Sequence, residues 1–220
     1  RLHFAMLGQD QSNESLLNKI SSVPVNELFE SFLDKMNKIL DKSEVESLLT
    51  QKLGMNFTNL MIVAWKLNRH NVELYWNLTE KTLKINDQKQ LLMAENIVPS
   101  NAFPYATCNQ DPDSFLFMKD TYERFFNRTE MQEFILKTQD EVLSFVYYVI
   151  SSSSLETAKE VAKYLAELFK DEKYELRDIL CQTSGSGKTV FSEFNNKKDY
   201  EKKLTVFAEL LPETLTELEK

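Results

Sequence analysis

Four glycines, five prolines, two histidines and two cysteines are all that 220 residues contain of those types, and each scarcity excludes a class of protein. With so few breakers the chain has no composition for disorder or a fibrous repeat. Having only His3 and His70 rules out a histidine-rich metal centre; His70 with Glu73 one turn away supplies two ligands at most. Basic residues are outnumbered, 26 Lys and Arg against 34 Asp and Glu, for a net charge of -8. No basic stripe breaks that balance, so a nucleic-acid backbone finds no electrostatic footprint. The longest apolar stretches, around 60–67 and 142–150, cover under half of a bilayer, so no membrane span is expected.

What is present is 42% hydrophobic residues, enough for one sizeable core or two small ones. Four Asn-x-Ser/Thr sequons stand at Asn13, Asn56, Asn77 and Asn127, none with proline in the middle. Chance placement would supply about two. The sequons, together with a first residue, Arg1, that fits removal of a leader, predict a secreted, extracellular glycoprotein. In that compartment Cys108 and Cys181 are expected to form a disulfide, worth about 4 kcal/mol in the chain-entropy picture. Both flank loop-like sequence.

Periodicity predicts an all-α protein, a compact bundle of about eight amphipathic helices. Val25, Leu28, Phe29, Phe32, Leu33, Met36, Ile39 and Leu40 recur at helical spacing over four turns. Ser43 with Glu46 reads as a capping box for a short second helix. Residues 57–68, apolar on most sides, predict a buried central helix that Asn56 would cap. Helical spacing of Tyr75, Trp76, Thr79 and Leu83 predicts another. Residues 97–112 hold three of the five prolines and read as an irregular surface linker between helical subdomains 1–96 and 113–220, or else as a loop within one domain. Beyond it, Asp111 caps a helix with Pro112 in its first turn, and Thr129 with Gln132 makes a capping box for a helix running to Ile150. The serines at 151–154 start a helix through Phe169, and Tyr200 to Leu211 makes one more before Pro212 starts a short terminal helix.

Candidate chemistry is thin. Gly185-Ser186-Gly187-Lys188-Thr189 matches the end of a phosphate-binding loop, but Gln182 stands where the first glycine belongs, and the flanks lack the strand and helix such a loop needs. A Ser/Gly linker explains it. Cys108 with His70 has no local signature of a nucleophile pair, and Asp111 and Asp113 serve as caps without acid–base work. No catalytic residue, metal ligand or cofactor site is assigned, and the chain is expected not to be an enzyme. It is expected to act by binding a partner protein. The alternative comes from the aromatic load of 15 Phe, 8 Tyr and 2 Trp: a carrier for a small apolar ligand such as a fatty acid or sterol, lined by Phe117, Phe126, Phe134, Tyr147 and Tyr148.

Overall fold

A computed structural model of the chain describes residues 26–53, 56–96, 101–137, 145–171, 173–181, 189, 191–192 and 200–210. Twelve helices account for most of these: α1 Asn26–Ile39, α2 Lys42–Thr50, α3 Asn59–Lys66, α4 Arg69–Thr82, α5 Ile85–Met93, α6 Ala102–Thr107, α7 Pro112–Glu123, α8 Arg128–Lys137, α9 Phe145–Ser152, α10 Leu155–Leu168, α11 Lys173–Cys181 and α12 Glu201–Ala208. The all-α expectation holds, with more and shorter helices than the eight predicted. Among the described residues the nearest approach to a strand is isolated bridging, antiparallel between Lys52 and Thr58 and again at Thr189.

No glycine falls among the described residues, and the helix ends bear the mark of it. Where a left-handed glycine would normally stop a helix, Gln51, Leu67, Leu83 and Ala94 swing to extended ψ values of 126 to 154°. Connections between α1 and α2, α3 and α4, α4 and α5, and α9 and α10 are two residues long, the second serving as the next N-cap. One residue does take a positive φ, Asn56 at 59°, in the turn closed by the Leu53 N to Phe57 O bond of 2.7 Å. Asparagine tolerates that conformation better than most side chains.

Several predicted caps move by two residues. Asp41 and Glu44, not Ser43 and Glu46, form the reciprocal box at the start of α2. Asn127 and Glu130 do so for α8, each backbone N–H reaching the other's side chain at 2.8 and 3.0 Å, in place of Thr129 and Gln132. Thr58, not Asn56, caps α3. The caps read at Asp111 and Ser154 stand as expected. The helix predicted to run to Ile150 is met as α8 and α9; residues 138–144 between them, the 185–188 loop and the Pro212 helix lie outside the described residues.

The largest correction concerns 97–112. Its described part, 101–112, carries α6, whose Ala102, Phe103, Ala106 and Thr107 are fully buried rather than on the surface. This short helix packs against α3, α5, α7, α8, α9 and α10. Phe103 explains the position: its ring meets those of Phe115, Tyr122 and Tyr164 at 6.1, 5.2 and 5.8 Å, and Tyr122 passes the contact on to Phe126 and Phe134. Edge-on and tilted rings at these separations each add about 0.5–1.5 kcal/mol to the burial itself. One hydrophobic cluster extends from Phe29 to Phe207, joining both halves of the chain.

Candidate functional site

The α2 and α5 helices stand opposite each other across an open cleft of about 1000 Å³. Each presents one face at i, i+3, i+4, i+7 spacing: Ser43, Glu46, Ser47 and Thr50 from α2, and Asp87, Gln90, Leu91 and Ala94 from α5 and the residue after it. Lys52, Leu83, Met93, Glu95 and Asn96 complete the walls. The α2 wall is polar and hydroxyl-rich; the α5 wall adds an apolar strip on which Met93 is 43% exposed. Three carboxylates, Glu46, Asp87 and Glu95, face one ammonium, Lys52, so the cleft is acidic. Of the three, Glu46 lies 3.9 Å from Lys42 on its own helix.

Asn96, one of the lining residues, is itself buried. Its Nδ2 donates to the Tyr105 hydroxyl at 2.7 Å, tying the cleft to α6, while its Oδ1 is enclosed and accepts no hydrogen bond among the described residues. A buried acceptor left unmade costs about 1–3 kcal/mol. The Tyr105 hydroxyl itself is pushed up to a pKa of about 12, first by burial, so it stays protonated at neutral pH.

Away from the cleft, segment 109–114 makes a polar seam that is buried at Asn109 and Ser114 and reaches the surface at Gln110 and Asp113. Asn109 is buried and donates from Nδ2 to Ala64 O and Leu67 O, at 2.8 and 2.7 Å, closing the end of α3. Ser114 Oγ adds a bond to Leu67 O at 2.9 Å. Gln110 donates to Ser152 O at the end of α9. The Asp111 carboxylate starts two helices at once, accepting from Asp113 N at 3.1 Å in α7 and from Arg69 N at 2.7 Å in α4. From α12, Lys203 reaches Ile150 O at 2.9 Å and Ser153 O, the same α9 terminus that Gln110 serves. Burial lowers the Lys203 pKa, and the proximity of Cys108 opposes that.

The residues singled out from the sequence are scattered. No disulfide joins Cys108 and Cys181, contrary to expectation. Cys108 is not in a loop but is the buried C-cap of α6, and Cys181 ends α11 half-buried. Burial pushes the Cys108 thiol up to about 12, against smaller opposing effects of Thr107, Lys203 and Lys66. A thiol held there is protonated and behaves as a small apolar side chain. His70 sits on the surface, 3.6 Å from Glu30, and among the described residues no cluster of His, Cys, Asp and Glu could hold a metal.

Of the five proposed pocket residues, Phe126 is buried and Phe117, Phe134, Tyr147 and Tyr148 are half-buried. Phe126 and Phe134 meet edge to face at 4.9 Å, Tyr147 and Tyr148 pair at 6.5 Å, and the Phe117 ring lies 6.0 Å from the Arg69 guanidinium. Asn56, Asn77 and Asn127 are exposed; Asn13 lies outside the described residues. Among the described residues no helix is long and apolar enough to cross a membrane.

Sequence reasoning missed the cleft and the seam. For the cleft, the signal was the polar face of a predicted helix, 43, 46, 47 and 50; for the seam, it was the shortage of glycine to end so many helices. No protein-family model matches the chain. Neither does any curated protein or solved structure.

Proposed function

We propose that this chain is a non-catalytic extracellular binding protein that receives a basic, partly apolar segment of another protein in the cleft between α2 and α5. The observation that carries the reading is the charge of the cleft lining, where Glu46, Asp87 and Glu95 outnumber the one ammonium, Lys52. Lysine or arginine would answer that excess of carboxylates with charge-assisted hydrogen bonds. Leu91, Met93 and Ala94 offer an apolar strip for the same segment. An open trough with one polar and one mixed wall suits a peptide better than an enclosed small molecule. The extracellular placement is supported by the sequons. The carrier alternative draws less support, because its aromatic rings pack on one another.

A backbone NMR titration with a synthetic Lys/Leu amphipathic peptide tests the reading. Shifts confined to 43–52 and 83–96, weakened by added salt and by Glu46→Lys with Asp87→Lys, are the expected result. Shifts elsewhere, or equal response to a Glu/Leu peptide, would overturn it.

A further inference from the structure

The three described sequons differ in what the fold has done with their third residue. In each, the asparagine is exposed, and among the described residues no hydrogen bond engages its amide nitrogen. Asn127 uses only Oδ1, which accepts from Glu130 N; a glycosylated amide keeps that oxygen, so the cap of α8 survives modification. The threonines are another matter. Thr58 is buried and its hydroxyl accepts from Met61 N as the cap of α3. Thr79 is wholly buried in the last turn of α4 and donates to Tyr75 O at 2.9 Å. Thr129 is exposed in the first turn of α8, where backbone N–H groups precede the intrahelical ladder and opening is least costly.

We propose that Asn56, Asn77 and Asn127 are N-glycosylation acceptors of two kinds: Asn56 and Asn77 are modified only before the chain folds, whereas Asn127 remains an acceptor in the folded protein. The sequon requires the hydroxyl as well as the amide, so a transferase must reach both. In the transfer, asparagine Nδ2 forms a bond to C1 of a lipid-pyrophosphate-linked oligosaccharide. The C1–O bond to the pyrophosphate breaks, the lipid pyrophosphate leaves with the electron pair, and Nδ2 gives up one proton. At Asn77 the folded helix would have to unwind over Thr79 first; at Asn127 a frayed first turn suffices.

The proposal rests on the extracellular reading and is independent of the cleft. Translation of the full chain into microsomes supplies the compartment whatever the natural location, and peptide mapping after glycan release should find all three asparagines modified. Separately, unglycosylated protein, folded or urea-unfolded and diluted, is offered to a purified oligosaccharyltransferase with its lipid-linked donor. Modification of the folded chain is expected to fall by about tenfold or more at Asn56 and Asn77 and to change little at Asn127. Thr129→Ala, a surface change, identifies the Asn127 product by its loss. Bare asparagines after microsomal translation would overturn the proposal, as would equal modification of all three sites in the folded chain. Fractionation of the protein from its own source tests the extracellular reading alone: retention inside the cell would sink that reading while the acceptor results stand.

Discussion

The ends of α3 and α9 pose one problem and receive two solutions. Each helix stops without a glycine, leaving carbonyls that must find donors elsewhere. At α3 the donor is Asn109, a neutral amide, buried, with two bonds donated and a third accepted from Asp111 N at 2.8 Å. At α9 it is Lys203, a half-buried cation from the far end of the chain, assisted by Gln110. An amide fits this task indoors because it carries no charge to desolvate. A lysine suits a site near the rim, where part of the ammonium keeps its water. The first closure should therefore be strong and blind to pH, the second weaker and pH-dependent.

Replacing Asn109 tests the stronger closure. Asn109→Ala takes the side-chain donor from Ala64 O, leaves Leu67 O with Ser114 Oγ alone, and should cost about 2–3 kcal/mol by urea unfolding. It should also speed labelling of the neighbouring Cys108 by a thiol reagent, read by peptide mapping, because that thiol reports local opening. An unchanged labelling rate would mean that Ser114 alone holds the junction. Next in size is Tyr122→Phe. It removes the bond to Leu92 O, 2.8 Å, at the end of α5, another neutral closure in the core, and should cost about 1–2 kcal/mol.

Lys203→Met should cost less, about 1 kcal/mol, since the wild-type side chain is half solvated. Its pH profile sharpens the contrast. The folded-state pKa of Lys203 lies below its ordinary 10.5, so in that window the unfolded chain binds more protons and wild-type stability rises with pH. Relative to Lys203→Met, the wild type should gain stability as pH climbs toward 10.5, whereas Asn109→Ala should track the wild type in parallel. The buried phenols work the other way. Tyr75 and Tyr122 have pKa values raised by burial, so they contribute stability below pH 10 that is lost above it. The Lys203 comparison is cleanest below pH 9, because the neighbouring Cys108 thiol, raised by burial from its ordinary 9.0, starts to lose its own contribution above that. Identical slopes for the wild type and Lys203→Met would remove the distinction between the two closures.

Helices were legible where apolar spacing ran for several turns, as in α1 and α10, because that pattern is a local property. Even there the pattern overcounted: Leu28 and Ile39 share the apolar spacing of α1 yet stand exposed. Cap positions were less legible. Ser43-x-x-Glu46 and Asp41-x-x-Glu44 overlap in the chain, and the earlier acidic cap wins by adding about half a turn of helix. The proline-rich look of 97–112 misled for a related reason, since Pro104 is harmless in the first turn of α6. The cleft was out of reach altogether: both of its walls are ordinary polar helix faces, and only tertiary packing sets them opposite each other.

The buried position of α6 bears on any attempt to cut this protein in two. A helix from Ala102 to Thr107 is too short to hold its shape in water, so it depends on walls contributed by α3 and α5 on one side of the sequence and α7 to α10 on the other. Fragments divided at 97–112 should each present an unfilled apolar socket and aggregate when made alone, yet reconstitute when produced together.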